Sequence, residues 1–135
     1  MPDRRNSNLR TGNKNREWGA KAERIAADWL LTHGYTIREQ NFRIGNRIEI
    51  DIIAEINGTI VFVEVKARSG KMEDPADAVD KAKMRKMIQG AGIYLKNMDH
   101  IMPFRLDVIT LTGNETDYRI EHFPDAFLPP LNMKF

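Results

Sequence analysis

Four charged side chains, Glu49, Asp51, Glu64 and Lys66, alternate with apolar residues between Arg47 and Arg68, in RIEIDIIAEINGTIVFVEVKAR. Carboxylates are hard oxygen ligands for a divalent cation, and a lysine beside them is a point charge for a phosphate. Whether they meet depends on the chain between them. Asn57-Gly58 is the dipeptide best suited to a two-residue type I′ turn, so the stretch reads as a β-hairpin. Ile56 then faces Thr59, Ala54 faces Val61, Asp51 faces Glu64 and Glu49 faces Lys66. One face carries Ile48, Ile50, Ile52 and Ala54 against Val61, Val63, Val65 and Ala67. The other begins with Ile53 beside Phe62 and then sets Glu49, Asp51, Glu64 and Lys66 in a square. Strands lie about 4.8 Å apart, so the Asp51 and Glu64 carboxylates nearly touch, and both cannot ionise without compensation. A divalent cation is one compensation. Water on an ordinary solvated face is the other.

The elements around the hairpin decide what else can reach it. From about Arg16 the pattern is helical, with Asn13 or Asn15 as N-cap and Gly34 just past the end. Trp18, Ala22, Ile25, Ala26, Trp29 and His33 make its apolar stripe. Glu23 sits on the flank among Gly19, Ala20, Ala26 and Ala27, with no cation three or four positions away. Helix geometry alone reads it as an exposed glutamate, although its small neighbours allow a close approach. Tyr35 to Arg43 reads as a weaker strand, and Gly45-Asn46 as its turn into the hairpin.

After a polar loop, a second helix is expected from Pro75, behind Asp74 as a cap, to about Asn97. Met84, Met87, Ile88, Ala91, Tyr94, Leu95 and Met98 form its stripe, a pattern typical of core. Lys81, Lys83, Arg85, Lys86 and Lys96 lie on the far side, as a solvated face or a phosphate-binding one. Lys83, at the stripe's boundary, can lean towards the hairpin. Strands at Phe104 to Leu111 and Tyr118 to Phe123, joined through Gly113-Asn114, precede a tail whose Phe127 and Leu128 are expected to cover core. The order α-β-β-β-α-β-β predicts an α+β (mixed α/β) fold with helices over the apolar sheet face.

The 135 residues suffice for one domain over 16–135, preceded by a basic arm over 1–15 that is expected to be mobile. Arg4, Arg5, Arg10, Lys14 and Arg16 crowd that end; they suit phosphates or simple solubility. With no cysteine, disulfides and thiolate zinc sites are excluded. No apolar run approaches the ~20 residues of a membrane span, and the N-terminal residues lack a signal peptide's apolar segment, so a cytoplasmic location is expected.

Asp51 followed by Glu64-Val65-Lys66 across a hairpin resembles the PD-(D/E)XK nuclease signature, and the element order matches the restriction-endonuclease-like αβββαβ core. Within that superfamily, Gly19-Ala20-Lys21-Ala22-Glu23, Ile48-Glu49-Ile50-Asp51 and Phe62-Val63-Glu64-Val65-Lys66-Ala67-Arg68 resemble the YraN-like family. These are small bacterial proteins related to archaeal Holliday-junction resolvases, described as uncharacterised or as candidate endonucleases. The likeness runs from about residue 16 to Phe127. Ile48 departs from it, standing where the family pattern has glycine before its E-I-D triplet.

The resemblance implies phosphodiester hydrolysis, with DNA a better match than RNA and branched DNA a possible substrate. Asp51, Glu64, the Val65 carbonyl and Glu23 would hold Mg²⁺ or Mn²⁺, and Glu23, Asp51, Glu64 and Lys66 would form the catalytic set. Lys66 would orient the attacking water or steady charge on the phosphoryl oxygens. Glu49 ranks lower, as a holder of Lys66 or a solvated side chain. Arg68, Lys83 and Arg85 are expected on nucleic acid. Resolvase relatives pair to cut two strands, which leaves a homodimer open. The competing reading is a nucleic-acid-binding protein that keeps the nuclease fold without turnover. Clustered carboxylates favour the enzyme, because binding alone needs basic residues.

Overall fold

The computed structural model describes residues 4–69 and 81–126, the side chains of 4–15 excepted. Helix α1 (Arg4–Thr32) leads into strands β1 (Thr36–Ile44), β2 (Ile48–Ile56) and β3 (Thr59–Arg68). Helix α2 (Lys81–Lys96) and strands β4 (Phe104–Gly113) and β5 (Tyr118–Phe123) complete the order. The strands form one sheet in the order β1-β2-β3-β4-β5. Only β3 and β4 pair in parallel, so the sheet is mixed, as an α+β fold with two flanking helices requires.

Local chemistry closes each turn. Asn57 and Gly58 both take positive φ, 49° and 77°, the pair a type I′ turn needs. Ile56 faces Thr59 and Ala54 faces Val61, the register expected from that turn. Gly34, at φ 89°, ends α1. Its N–H donates to the Leu31 carbonyl at 3.3 Å and the Tyr35 N–H to that of Leu30 at 3.0 Å, the paired bonds of a glycine-terminated helix. At its other end α1 begins at Arg4 rather than near Arg16, so the basic segment forms its first turns. Extending an existing helix adds one bond per residue without a new nucleus, which lets poor helix formers join it. The expected Asp74 and Pro75 cap, and Phe127 and Leu128 over the core, lie outside the described residues.

The sheet is covered on both faces. Ala22, Ala26, Ala27 and Leu30 of α1 pack on Ile52, Ala54, Val61, Val63, Val65, Ile109 and Leu111. Ile88 and Ala91 of α2 pack on Ile50, Ile53, Ile60, Phe62 and Leu106. This corrects the single apolar hairpin face. Ile52 and Ala54 face α1, whereas Ile50 joins the α2 side, and a Cβ on Gly90 of α2 would meet Ile48 Cγ2 at 2.7 Å and Ile50 Cδ1 at 3.0 Å. Ile50 and Ile53 share a face although they are three positions apart, so the two-residue alternation breaks between them. Asp51 stands at that break.

Candidate active site

Two strands part at Asp51. The β2–β3 pairing runs from Ile56↔Thr59 to Ile52↔Val63 and goes no further among the described residues. Beyond it β2 stays with β1, through Phe42↔Ile50 and Arg43↔Glu49. β3 stays with β4, through Glu64↔Val108 and Lys66↔Thr110. The Asp51 carboxylate fills the fork and accepts the Val65 N–H at 2.9 Å, replacing a ladder bond. The expected four-residue square is therefore opened. Asp51 and Glu64 still meet, but as side chains in a cleft and not as a cross-strand pair.

Residues from α1, β1, β2 and α2 converge on this cleft. Glu23 comes from α1 with Asp51 and Glu49 beside it. Asn41 of β1 lies in register opposite Asp51, between the Gln40↔Ile52 and Phe42↔Ile50 pairs, and has a φ of 52°. With its amide nitrogen towards the acids, Asn41 donates to Glu23 Oε2 at 3.1 Å and to Glu49 Oε1 at 3.3 Å. Lys83 of α2 reaches in from the opposite face and ion-pairs with Glu64 Oε1. Glu64 is fully buried, with Lys83 and Asp51 set against its carboxylate. Arg43 pairs with the outer side of Glu49 at 3.5 Å.

Crowding sets the protonation. Burial raises the Glu64 carboxyl, adjacent Asp51 raises it further, and it reaches about 8 despite Lys83. Glu23 is pushed up to about 7, by burial first and then by Asp51 and Glu49. Burial also raises Asp51, against the opposing pull of the Val65 N–H and the Lys83 charge. Burial opposes the charge on Lys83, yet Glu64, Asp51 and Glu49 outweigh it and lift that ammonium above its ordinary range. The site therefore holds more carboxylate than the Lys83 ammonium can balance.

That is the condition a divalent cation relieves. As the side chains stand, no three acidic or histidine residues among those described have the spacing to hold a metal. Mg²⁺ needs only one or two carboxylates, with waters and substrate phosphate completing its shell. Asp51 and Glu64, with their buried oxygens towards the cleft, fit that smaller demand.

The other sequence candidates are spread more widely. Lys66 is half-buried and makes no ion pair with the acids among the described residues, so the lysine found on Glu64 is Lys83. Arg68 ends β3, and Arg85 is exposed on α2. Lys83 sits against a carboxylate instead of lying open to a phosphate, because the α2 face that carries it covers the fork. Asn41 was missed. Its signal was an asparagine, a poor strand former that tolerates left-handed φ, inside an otherwise extended segment.

A second polar cluster lies on the α1 side. Asp107 is fully buried. It accepts Arg105 Nε at 2.9 Å and Nη2 at 2.8 Å, and the Asp125 N–H at 3.1 Å; His122 Nε2 is 2.6 Å away. Arg105 also donates to the Tyr35 hydroxyl at 2.8 Å. Every oxygen of Asp107 is satisfied, which marks it as a structural tie.

No helix among the described residues is long and apolar enough to cross a membrane. The model of the uncharacterised protein family UPF0102 matches residues 22–111. A UPF0102 protein of Phocaeicola vulgatus is 39% identical over 116 residues, covering 85% of this chain and 95% of the relative. One from Bacteroides fragilis is 42% identical over 114 residues, covering 84% and 93%. One from Thermodesulfovibrio yellowstonii is 41% identical over 112 residues, covering 82% and 96%. Matches of this extent reach from the Glu23 helix through the fork to β4, and by them the chain belongs to the UPF0102 family, the YraN-like group its motifs resemble.

Proposed function

We propose that the protein is a divalent-metal-dependent nuclease that hydrolyses phosphodiester bonds in DNA, branched DNA included. One observation carries the reading. Glu64 is fully buried at the mouth of a strand fork beside Asp51, and Lys83 is the cation set against both acids. A merely structural sheet gains nothing from crowding two buried carboxylates around one lysine, since burying charge is costly.

Asp51 and Glu64 would hold Mg²⁺ or Mn²⁺, with the Val65 carbonyl beside them. When bound, such an ion polarises a phosphoryl oxygen and makes a water acidic enough to attack at neutral pH. The chain's own residues do the rest. The Val65 N–H fixes the rotamer of Asp51 from behind, leaving its other oxygen for the cleft. Glu23, with a carboxyl that titrates at about 7, can take or return a proton near neutral pH. Asn41 steadies Glu23 and Glu49 from the β1 side. By strand alternation Lys66 lies on the same side of β3 as Glu64 and would meet the phosphate from the rim. Arg68 and Arg85 would contact the backbone further out.

A second reading, nucleic-acid binding without turnover, is favoured by the position of Lys83, which neutralises Glu64 without a metal. Titration calorimetry and thermal melting with Mg²⁺ or Mn²⁺, on the wild type and Asp51→Asn, separate the two. The nuclease reading expects millimolar metal to stabilise the wild type, by about 2.7 kcal/mol at a hundred times Kd. It expects no such response from Asp51→Asn, which gains stability in the absence of metal as the carboxylate crowding is relieved. Cleavage of branched and linear DNA by the wild type alone completes the test. DNA binding with neither metal response nor cleavage would leave the second reading standing.

A further inference from the structure

We infer that Lys83 is a built-in counter-cation that occupies the metal's place in the resting site and is displaced into an adjacent phosphate-binding cavity when a divalent ion enters. The inference rests on the metal-site reading above and adds a competitor and an anion subsite to it.

Two observations meet in Lys83. Its ammonium ion-pairs with Glu64, the fully buried acid that would ligate the metal. The same side chain lines a cavity of about 310 Å³ together with Arg47, Glu49, Ala82 and Lys86. Arg47, from the β1–β2 turn, and Lys86, one turn along α2, are exposed and have no ion-pair partner among the described residues. The cavity thus has basic groups on two sides, and its inner wall is the lysine now committed to the acids.

Charge decides which cation stands at the acids. A lysine and a divalent cation cannot both lie against Asp51 and Glu64, because cations at that separation repel one another. A flexible four-carbon stem lets the ammonium move while its helix stays fixed. Once moved, it joins Arg47 and Lys86, and three cations around a space of that size suit a phosphate group of the nucleic-acid backbone. Metal entry and phosphate capture are then coupled through one side chain. An empty site keeps its acids neutralised, and a loaded site presents a lysine to substrate.

Calorimetric titration of Mn²⁺ into the wild type, Lys83→Met and Lys66→Met tests this without reference to activity. Removal of the competitor should tighten Mn²⁺ binding by about tenfold or more in Lys83→Met, and Lys66→Met should bind like the wild type. Metal should also raise the melting temperature of Lys83→Met more than that of the wild type. Equal Mn²⁺ affinity in all three proteins would overturn the Lys83 role and leave the metal site intact. Absence of binding in all three would overturn both. Should Lys83→Met not fold, acetylation of the wild type with peptide mass spectrometry reads the same event. Saturating Mg²⁺ should increase labelling at Lys83 several-fold relative to Lys96, and unchanged labelling would reject displacement.

Discussion

Asp51 does two jobs with two oxygens: one holds a backbone amide in place of a strand, the other faces Glu64 and Glu23. The first job has a direct reporter. A hydrogen bond to a charged acceptor contributes about 1.5–3 kcal/mol, so its loss should speed local exchange by roughly ten- to a hundredfold. In Asp51→Ala the Val65 amide should lose protection by that factor, while the Val61 and Val63 amides, inside the paired ladder, hold theirs. Asp51→Asn, which keeps an acceptor oxygen, should protect Val65 nearly as well as the wild type. Equal exchange at Val65 in all three would mean that another group holds this amide. The acids of this site are legible from their spacing, because a two-residue turn at Asn57-Gly58 and strand alternation set Asp51 opposite Glu64. The identity of their neutralising lysine is not. Lys66 belongs to the motif, but the cation on Glu64 comes from α2, and sequence offers no rule for how far a helical lysine leans across a sheet. Asn41 is hidden for a related reason: its importance comes from lying opposite Asp51, a pairing set by a bulge in β1 between Ile37 and Glu39.

The two helices, the turns and the order of elements along the chain arise from apolar stripes and glycine punctuation, both of which are plain in the sequence. The break in alternation at Asp51 is not, because a strand that changes neighbours partway along looks the same in sequence as one that does not. Beside the break, α2 approaches the start of β2 closely. Gly90 lets the helix backbone lie against Ile48 and Ile50, and any side chain there would collide with them. In an exposed helix Gly→Ala gains up to about 1 kcal/mol. Here Cγ2 of β-branched Ile48 stands 2.7 Å from the added methyl and has little freedom to retreat. Overpacking of this kind costs about 1–3 kcal/mol. Gly90→Ala should therefore destabilise the fold by about 1 kcal/mol net in urea titration. It should also weaken any metal response, because the β2 segment that moves carries Glu49 and leads into Asp51. Stabilisation by Gly90→Ala would show that α2 can shift away freely.

Among the described residues, the buried acids divide into a crowded pair at the fork, Asp51 and Glu64, and the fully satisfied Asp107. The site acids at the fork are raised, whereas Asp107 is lowered: burial alone would lift it, but His122, Arg105 and the Asp125 N–H outweigh that cost. Burial of the Arg105 guanidinium is likewise outweighed by its bonds to Asp107, so its pKa is raised. Through these bonds Asp107 joins β4 to β5, to the chain after β5 and, by way of Tyr35, to the start of β1. The opposed shifts give the protein two separable responses to pH. A carboxylate whose folded pKa is depressed contributes stability that is fully present above its unfolded value, about 3.9, and is lost as pH falls through the folded one. Raised acids act the other way, favouring the folded state at low pH and losing that contribution as pH climbs from their ordinary values towards about 7 and 8 for Glu23 and Glu64. Acid unfolding below about pH 4 should therefore report mainly on Asp107. Asp107→Asn should cost about 3 kcal/mol at neutral pH, because it breaks a buried ion pair. It should also flatten the fall in stability between about pH 4 and pH 2, where the wild type loses the Asp107 contribution. Urea titrations across that range decide the matter. Parallel wild-type and Asp107→Asn profiles would place the acid-sensitive group elsewhere and remove Asp107 as the tie between the two ends of the sheet.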